Sequence, residues 1–311
     1  MSGTRGIVKL QLPATSANLG PGFDTLALAL KLYLNIEAEE AAVFRIEAAG
    51  RDAARCAAET DAAIRDNLLL ATYRDLLAKH GRPAASLHIR MRNEIPLGMG
   101  CGSSAAVRLA AVALAAHFGD LGWDRERILA EACRVEGHPD NAAACWLGGF
   151  VVSAAEGEAI RAVSFAPPSA WRAVLVMPDR PLATTASRAV LPKNYALKDV
   201  VNNLQRVSLL TAAFAGGRAD LLAEGMRDWV HQPYRAAVCP LLPKLLPLAG
   251  KSGIAGAALS GAGPAVLLLA ESDAAAETAR RAALEAVQEV GRVEIVTCEL
   301  EREPALFRSE F

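Results

Sequence analysis

One segment constrains this chain more than any other. In Pro96-Leu97-Gly98-Met99-Gly100-Cys101-Gly102-Ser103-Ser104 three alternating glycines are followed by two serines, which open an almost wholly apolar run to His117. Glycine lets the main chain approach a ligand with no Cβ in the way. A helix starting there presents unpaired N–H groups and a partial positive charge, the two features that hold phosphate. The serine hydroxyls can cap the helix, touch phosphate or ligate a metal ion. The plainer reading of a lone glycine-rich turn is a strand-to-helix connection with serine caps. Two other phosphate motifs do not fit. The Gly-x-Gly-x-Gly spacing lacks the third glycine of the dinucleotide fingerprint. Gly250-Lys251-Ser252 ends like a Walker loop, but Leu245 stands where that loop needs its first glycine.

Around this loop the patterning alternates between period two and helical spacing. Val8, Leu10 and Leu12 alternate with Lys9 and Gln11 as in a strand, and Pro13 to Phe23 reads as a turn leading to a strand within Leu26–Glu37. The spacing predicts a helix over Asn67–Lys79, a strand over Leu87–Met91, a buried helix over Ser103–His117 and a helix near Asp124–Val135. A strand follows Gly148-Gly149 at Phe150–Ser153, and the small and polar stretch Ala154–Pro168 is the best boundary, dividing the chain into residues 1–155 and 156–311. Beyond it come strands at Ala173–Met177, Ala265–Ala270 and Val293–Glu299, with helices near Asn203–Ala215, Ala219–Val230 and Ala274–Glu289. Helices and strands mix in both halves, which is an α+β pattern.

Composition narrows the classes of function. With 33 Lys and Arg against 34 Asp and Glu, the net charge of −1 supplies no general field for nucleic acid or an anionic membrane. An anionic ligand must be held locally. The six cysteines show neither a Cys-x-x-Cys pair nor metal-ligand spacing, and read as reduced thiols. Met1 to Leu12 lacks the apolar core of a leader, and no stretch approaches the about 18 apolar residues that span a bilayer. The expectation is a soluble cytoplasmic protein with neither nucleic acid nor membrane as partner.

Pro-x-x-x-Gly-x-Gly-Ser-Ser-Ala-Ala, from Pro96 to Ala106, resembles the phosphate-loop signature of the GHMP kinases, with Cys101 where an apolar residue is usual. Pro13-Ala14-Thr15-Ser16-Ala17-Asn18-Leu19-Gly20-Pro21-Gly22-Phe23-Asp24 is similar to the N-terminal motif of the homoserine kinase branch. So are Glu136-Gly137-His138-Pro139-Asp140-Asn141, Ser187-Arg188-Ala189-Val190-Leu191-Pro192 and His231-Gln232-Pro233-Tyr234-Arg235. Leu259-Ser260-Gly261-Ala262-Gly263-Pro264 resembles the wider family's third glycine-rich motif. The matches run from about residue 8 to 270 and so cover most of the chain.

The resemblance implies a two-lobed α+β fold, with an N-terminal nucleotide-binding half and a ferredoxin-like C-terminal half. It implies ATP and Mg²⁺, L-homoserine as acceptor in threonine biosynthesis, and a homodimer. Pro96, Leu97, Gly98, Met99, Gly100, Cys101, Gly102, Ser103, Ser104, Ala105 and Ala106 would cradle the phosphates, and Asn67 would meet the base or ribose. Ser104 and Glu136 would hold the metal, with Glu131 as the alternative carboxylate. A zwitterionic acceptor needs a cation fork for its carboxylate, which Arg188 and Arg235 can supply, and an anion for its ammonium, which Asp24 and Asp140 can supply. Asn18, His138, Asn141 and Thr184 complete the substrate contacts. Asp140, Asn141 and Arg188 are the catalytic candidates, with Asp140 either accepting the hydroxyl proton or holding the amino group. Each has a plainer reading: surface ion pairs for the arginines, helix caps for Asn67 and the aspartates, a turn residue for Asn18. Two alternatives remain, a mevalonate-type kinase of the same family and a non-catalytic nucleotide-binding relative.

Overall fold

The computed structural model describes residues 6–157 and 159–310. Residues 1–5, where the segment read against a leader begins, lie outside the described residues. The described strands in chain order are β1 (Ile7–Asn18), β2 (Gly22–Glu40), β3 (Arg45–Gly50), β4 (Leu87–Asn93), β5 (Phe150–Glu156) and β6 (Ala159–Phe165). They continue as β7 (Arg172–Pro178), β8 (Gly256–Leu259), β9 (Val266–Ala270), β10 (Val293–Glu299) and β11 (Leu306–Glu310). A seven-stranded sheet runs β11-β1-β2-β4-β3, with the β5–β6 hairpin attached to β2 through Leu26–Leu28. A four-stranded antiparallel sheet runs β10-β7-β9-β8. No helix among the described residues is long and apolar enough to cross a membrane.

β1 continues well past the proline at which the sequence pattern predicts a turn. Pro13 lies in the strand, and the register against β2 shifts between Pro13 and Ala14. Such an irregularity is where a strand tolerates a residue that cannot donate to the ladder. The true turn is short. Asn18, Leu19 and Gly20 all take positive φ, and a Cβ on Gly20 would lie 2.0 Å from the Met226 carbonyl oxygen. This places Asn18 and Asp24 on opposite sides of one tight reversal.

Helices Leu68–Lys79, Ser103–Phe118, Arg125–Glu136 and Asp140–Leu147 accompany the large sheet. Ser103–Phe118 is buried around most of its circumference, as its apolar composition requires. Its alanines let β1 and the flanking helices approach closely, and truncating Leu109 or Leu114 would cost about 2–5 kcal/mol. The small sheet is covered on both sides. Ala173, Leu175 and Met177 of β7 face the main core, while Val174 and Val176 join the cluster under helix Asp273–Val287. Coverage on both faces explains why β7 and β9 read as unbroken apolar runs.

Residue 155 lies within the β5–β6 hairpin, and β11 returns to the large sheet beside β1. One expected helix changes. The helix expected over Ala219–Val230 is only a 3₁₀ turn, Ala219–Leu221, and one α turn, Leu222–Gly225. Asp228 ends it: its carboxylate accepts from the amides of Val230, His231 and Gln232 at 2.8, 3.0 and 2.6 Å. A side chain that draws in three successive amides competes directly with helix continuation.

Candidate active site

The glycine-serine loop lies between the sheets and is braced from three sides. Thr15 N–H of β1 donates to the Cys101 carbonyl at 3.1 Å, Ser260 Oγ donates to Gly100 O at 2.8 Å, and Leu182 N–H donates to Gly98 O at 3.2 Å. Gly98, Gly100 and Gly102 have φ of 72°, 78° and 71°. A Cβ on Gly100 would fall 2.1 Å from Ser260 O, and one on Gly102 would fall 1.9 Å from Thr15 Oγ1. The glycines are therefore demanded both by backbone conformation and by the approach of neighbouring chain. Gly98, Gly100, Gly102, Ser103 and Ser104 line one cleft together with Asn18, Asp24, Asp140, Arg188 and Arg235. Pro96 is buried, Ala105 and Ala106 anchor the first helical turn in the core, and Leu97 and Met99 are partly buried. Cys101 is fully buried, and burial pushes its thiol up to about 12, so it acts as an apolar residue. Asn67 caps helix Leu68–Lys79, accepting from the amides of Leu69 and Leu70, and is absent from the cleft lining.

One corner of the cleft carries hard oxygen atoms. Ser104 Oγ lies 3.5 Å from Glu136 Oε2, and the Glu136 side chain is only 8% exposed. Arg108, one turn along the helix, donates through Nη1 to Ser104 Oγ at 3.0 Å and also to Glu136 Oε2. Glu131 is elsewhere. It is surrounded by Arg134, Lys79 and Arg127 on the other side of its helix, next to a separate surface pocket. Burial raises its pKa, but the hydrogen bond and charge of Arg134, with Lys79 and Arg127, outweigh that and hold it below the ordinary value.

The opposite end is built from side chains. Arg188 grips Asp24 bidentately, Nη2 to Oδ1 at 2.6 Å and Nη1 to Oδ2 at 3.1 Å. The two side chains are 38% and 32% exposed, so as a structural pair they contribute at most about 1 kcal/mol. Arg235 is buried, with its guanidinium on the carbonyls of Ser187 and Gly261 and on His231 Nδ1. Burial, then the charge of Arg188, lowers its pKa from the usual arginine value. Both guanidinium groups stand over the ring of Phe23, at 5.2 and 5.4 Å from its centroid. His231 Nε2–H donates to Gly20 O at 2.8 Å, which leaves Nδ1 to accept from Arg235. That is the neutral tautomer, and burial favours it.

His138 Nδ1 lies 2.7 Å from Asp140 Oδ1, which also accepts from the Asn141 amide at 2.7 Å. Burial disfavours a charged His138, but the hydrogen bond and charge of Asp140, with Glu136 and Asp24, raise its pKa above the ordinary value. Asp24, His138 and Asp140 bring ligand atoms within 4.8 Å of one another. Asn18 is a strut: Nδ2 donates to Gly261 O at 2.9 Å, and Oδ1 accepts from the Asp24 amide at 3.0 Å. Thr184 lines the cleft from the start of helix Thr184–Ala189. Sequence reasoning assigned nothing to Thr15, whose hydroxyl donates to Asn141 Oδ1 at 2.7 Å, or to Arg108. Thr15 sat unremarked inside a quoted motif. Arg108 carried its own signal, as a lone arginine in a buried apolar helix.

A glycine-rich loop at a helix N-terminus, two hard oxygens beside it and paired charges opposite have the chemistry of a phosphotransferase site. The chain matches the family models "GHMP kinases N terminal domain" over residues 67–149 and "GHMP kinases C terminal" over residues 210–289. It is 44% identical to a homoserine kinase of Solibacter usitatus over 87% of this chain and 88% of that one. A homoserine kinase of Deinococcus radiodurans is 37% identical over 83% and 82% of the two chains. The crystal structure of homoserine kinase from Cytophaga hutchinsonii superposes with a TM-score of 0.82 at 25% identity, covering 98% of each chain. The chain belongs to the GHMP kinases, in their homoserine kinase branch.

Proposed function

We propose that this chain transfers the γ-phosphoryl group of ATP to the side-chain hydroxyl of L-homoserine, forming O-phospho-L-homoserine and ADP, a step toward threonine. The observation that carries this reading is the single cleft that joins the glycine-serine loop to the Asp24–Arg188 pair, Asp140 and Arg235. An α-amino acid brings one cation and one anion, and Asp24–Arg188 is a ready-made counterpart to both. The ammonium fits between Asp24 and Asp140, and the carboxylate meets Arg188 and Arg235. Mevalonate has the carboxylate but nothing for the two aspartates, which argues against that alternative. Asn141, oriented by Thr15 and adjoining Asp140, is the group to direct the hydroxyl.

In the transfer, the hydroxyl oxygen forms a bond to Pγ while the bond from Pγ to the bridging oxygen of ADP breaks, and the hydroxyl proton leaves. Asp140 Oδ1 already accepts from His138 and Asn141, which suits a carboxylate that holds an ammonium more than one that collects a proton. A loose transition state lets the proton depart late, toward solvent. Ser104 and Glu136 offer the hard oxygen donors that Mg²⁺ prefers, and Glu136 is shielded enough to make its charge count. When bound, the metal would neutralise charge on the β- and γ-phosphates. Asn67 remains the candidate for the nucleoside end. We further propose a cytoplasmic homodimer, checked by light scattering at several concentrations. The decisive assay is ADP release with L-homoserine, mevalonate or no acceptor. Folded protein that releases no homoserine-dependent ADP would sink the reading.

A further inference from the structure

Arg108 is the one Lys or Arg in helix Ser103–Phe118, whose surface beyond the two cleft-lining serines is mostly spent on packing. Four residues after Ser104, its stem leans toward the helix N-terminus, so the guanidinium lies back over the turn that ends the phosphate loop. There Nη1 holds Ser104 Oγ at 3.0 Å and also Glu136 Oε2, the two oxygens assigned above to the metal. A divalent cation and a guanidinium cannot share those lone pairs, because like charges in direct contact in a half-buried site repel strongly. Among the described residues both hydrogen bonds of Arg108 come from this one nitrogen, and the side chain is 29% exposed, so it has room to move. Guanidinium is also the side-chain group best matched to phosphate oxygens, through two parallel N–H donors.

We propose that Arg108 is a hand-over cation. It holds the Glu136 carboxylate and the Ser104 hydroxyl in place while the phosphate site is empty, then passes to the nucleotide phosphates when those oxygens take the metal. The proposal rests on the reading of Ser104 and Glu136 as metal ligands. It makes Arg108 a competitor of the bare metal and a partner of the metal–nucleotide complex. A brace that only packs the helix would be neither.

The test uses the full chain and Mn²⁺ as the probe, with free Mn²⁺ read by electron paramagnetic resonance and ADP binding measured by calorimetry in Mg²⁺. Arg108→Gln should bind bare Mn²⁺ about fivefold more tightly and ADP about tenfold more weakly, the opposing shifts expected when a charge that meets both is removed. Arg108→Lys should fall between. Should Arg108→Gln melt below the parent, Arg108→Lys, which keeps the charge but loses the fork, carries the comparison, and equal binding of both ligands by it and the parent would overturn the hand-over. Shifts in the same direction, or a change in only one ligand, would overturn the hand-over. Glu136→Gln separates the two levels of the argument. If it loses Mn²⁺ while Arg108→Gln changes nothing, only the hand-over fails; if it binds Mn²⁺ like the parent, the metal-ligand reading fails beneath it.

Discussion

The two ends of the cleft are made of different material. At the glycine-serine end the contacts that fix the loop fall on its main chain, and the residues that matter are those with no side chain: Gly98, Gly100 and Gly102. At the opposite end the backbone recedes, and the pairs Asp24–Arg188 and His138–Asp140 line the cleft together with Arg235, which is held on His231. A main-chain cradle tolerates little change of shape but recognises any phosphate. A side-chain mesh names its ligand, yet each member can be altered with the others left standing. Damage at the first end should reach both substrates, and damage at the second should reach only the acceptor.

The largest effect is expected at Gly100. Gly100→Ala demands a left-handed conformation costing about 1–2 kcal/mol and places a methyl 2.1 Å from Ser260 O. The loop must shift, and kcat/KM should fall on the order of 100-fold or more whichever substrate is varied. An acceptor-only defect would break the contrast. Next comes Arg235→Ala, which withdraws a donor from Ser187 O, Gly261 O and His231 Nδ1; the homoserine KM should rise on the order of 30-fold while that for ATP stays within about twofold. Equal changes would remove Arg235 from the acceptor end. Asp24→Asn keeps shape but loses charge. Its homoserine KM should rise about tenfold, with stability little altered because the pair is partly exposed.

The smallest effect is a pH dependence. The folded-state pKa of His138 is raised, so its pairing contributes stability fully below the unfolded value of about 6.5 and loses it as pH rises through the folded value. The Tm gap between the parent and His138→Gln should therefore be wider at pH 6 than at pH 8.5. A constant gap would mean that the charge on His138 contributes nothing.

The same division governs what could be read from the chain. Gly98 to Ser104 announces itself because a close main-chain approach demands glycine in any context, and the buried helix behind it follows from composition. Candidate charges at the acceptor end were equally visible as residues. Their pairing was not: nothing in the order of residues says that Arg188 reaches across 164 positions to Asp24, or that Thr15 reaches Asn141. β3 and β6 do not stand out because period two is faint in both: Ile46 is the one buried position of β3, and β6 has apolar residues on both faces, Ile160 and Ala162 beside Val163. Pro13 misled because a strand with a register shift can carry a proline that a regular one would reject. The helix expected at Ala219–Val230 failed through one local competitor, Asp228.

The pairing of β11 with β1, Ile7 opposite Glu310, has a bearing on how the molecule comes into being. The large sheet takes its strands from both sides of the four-stranded sheet in sequence, which sits between them like a long insertion returned to its host. During synthesis the β1 edge that β11 covers must wait, unpaired, until all the chain between the two strands has been made. A cut at any point between β1 and β11 therefore separates β1 from a strand it pairs with, and ties the completion of the large sheet to the making of the small one.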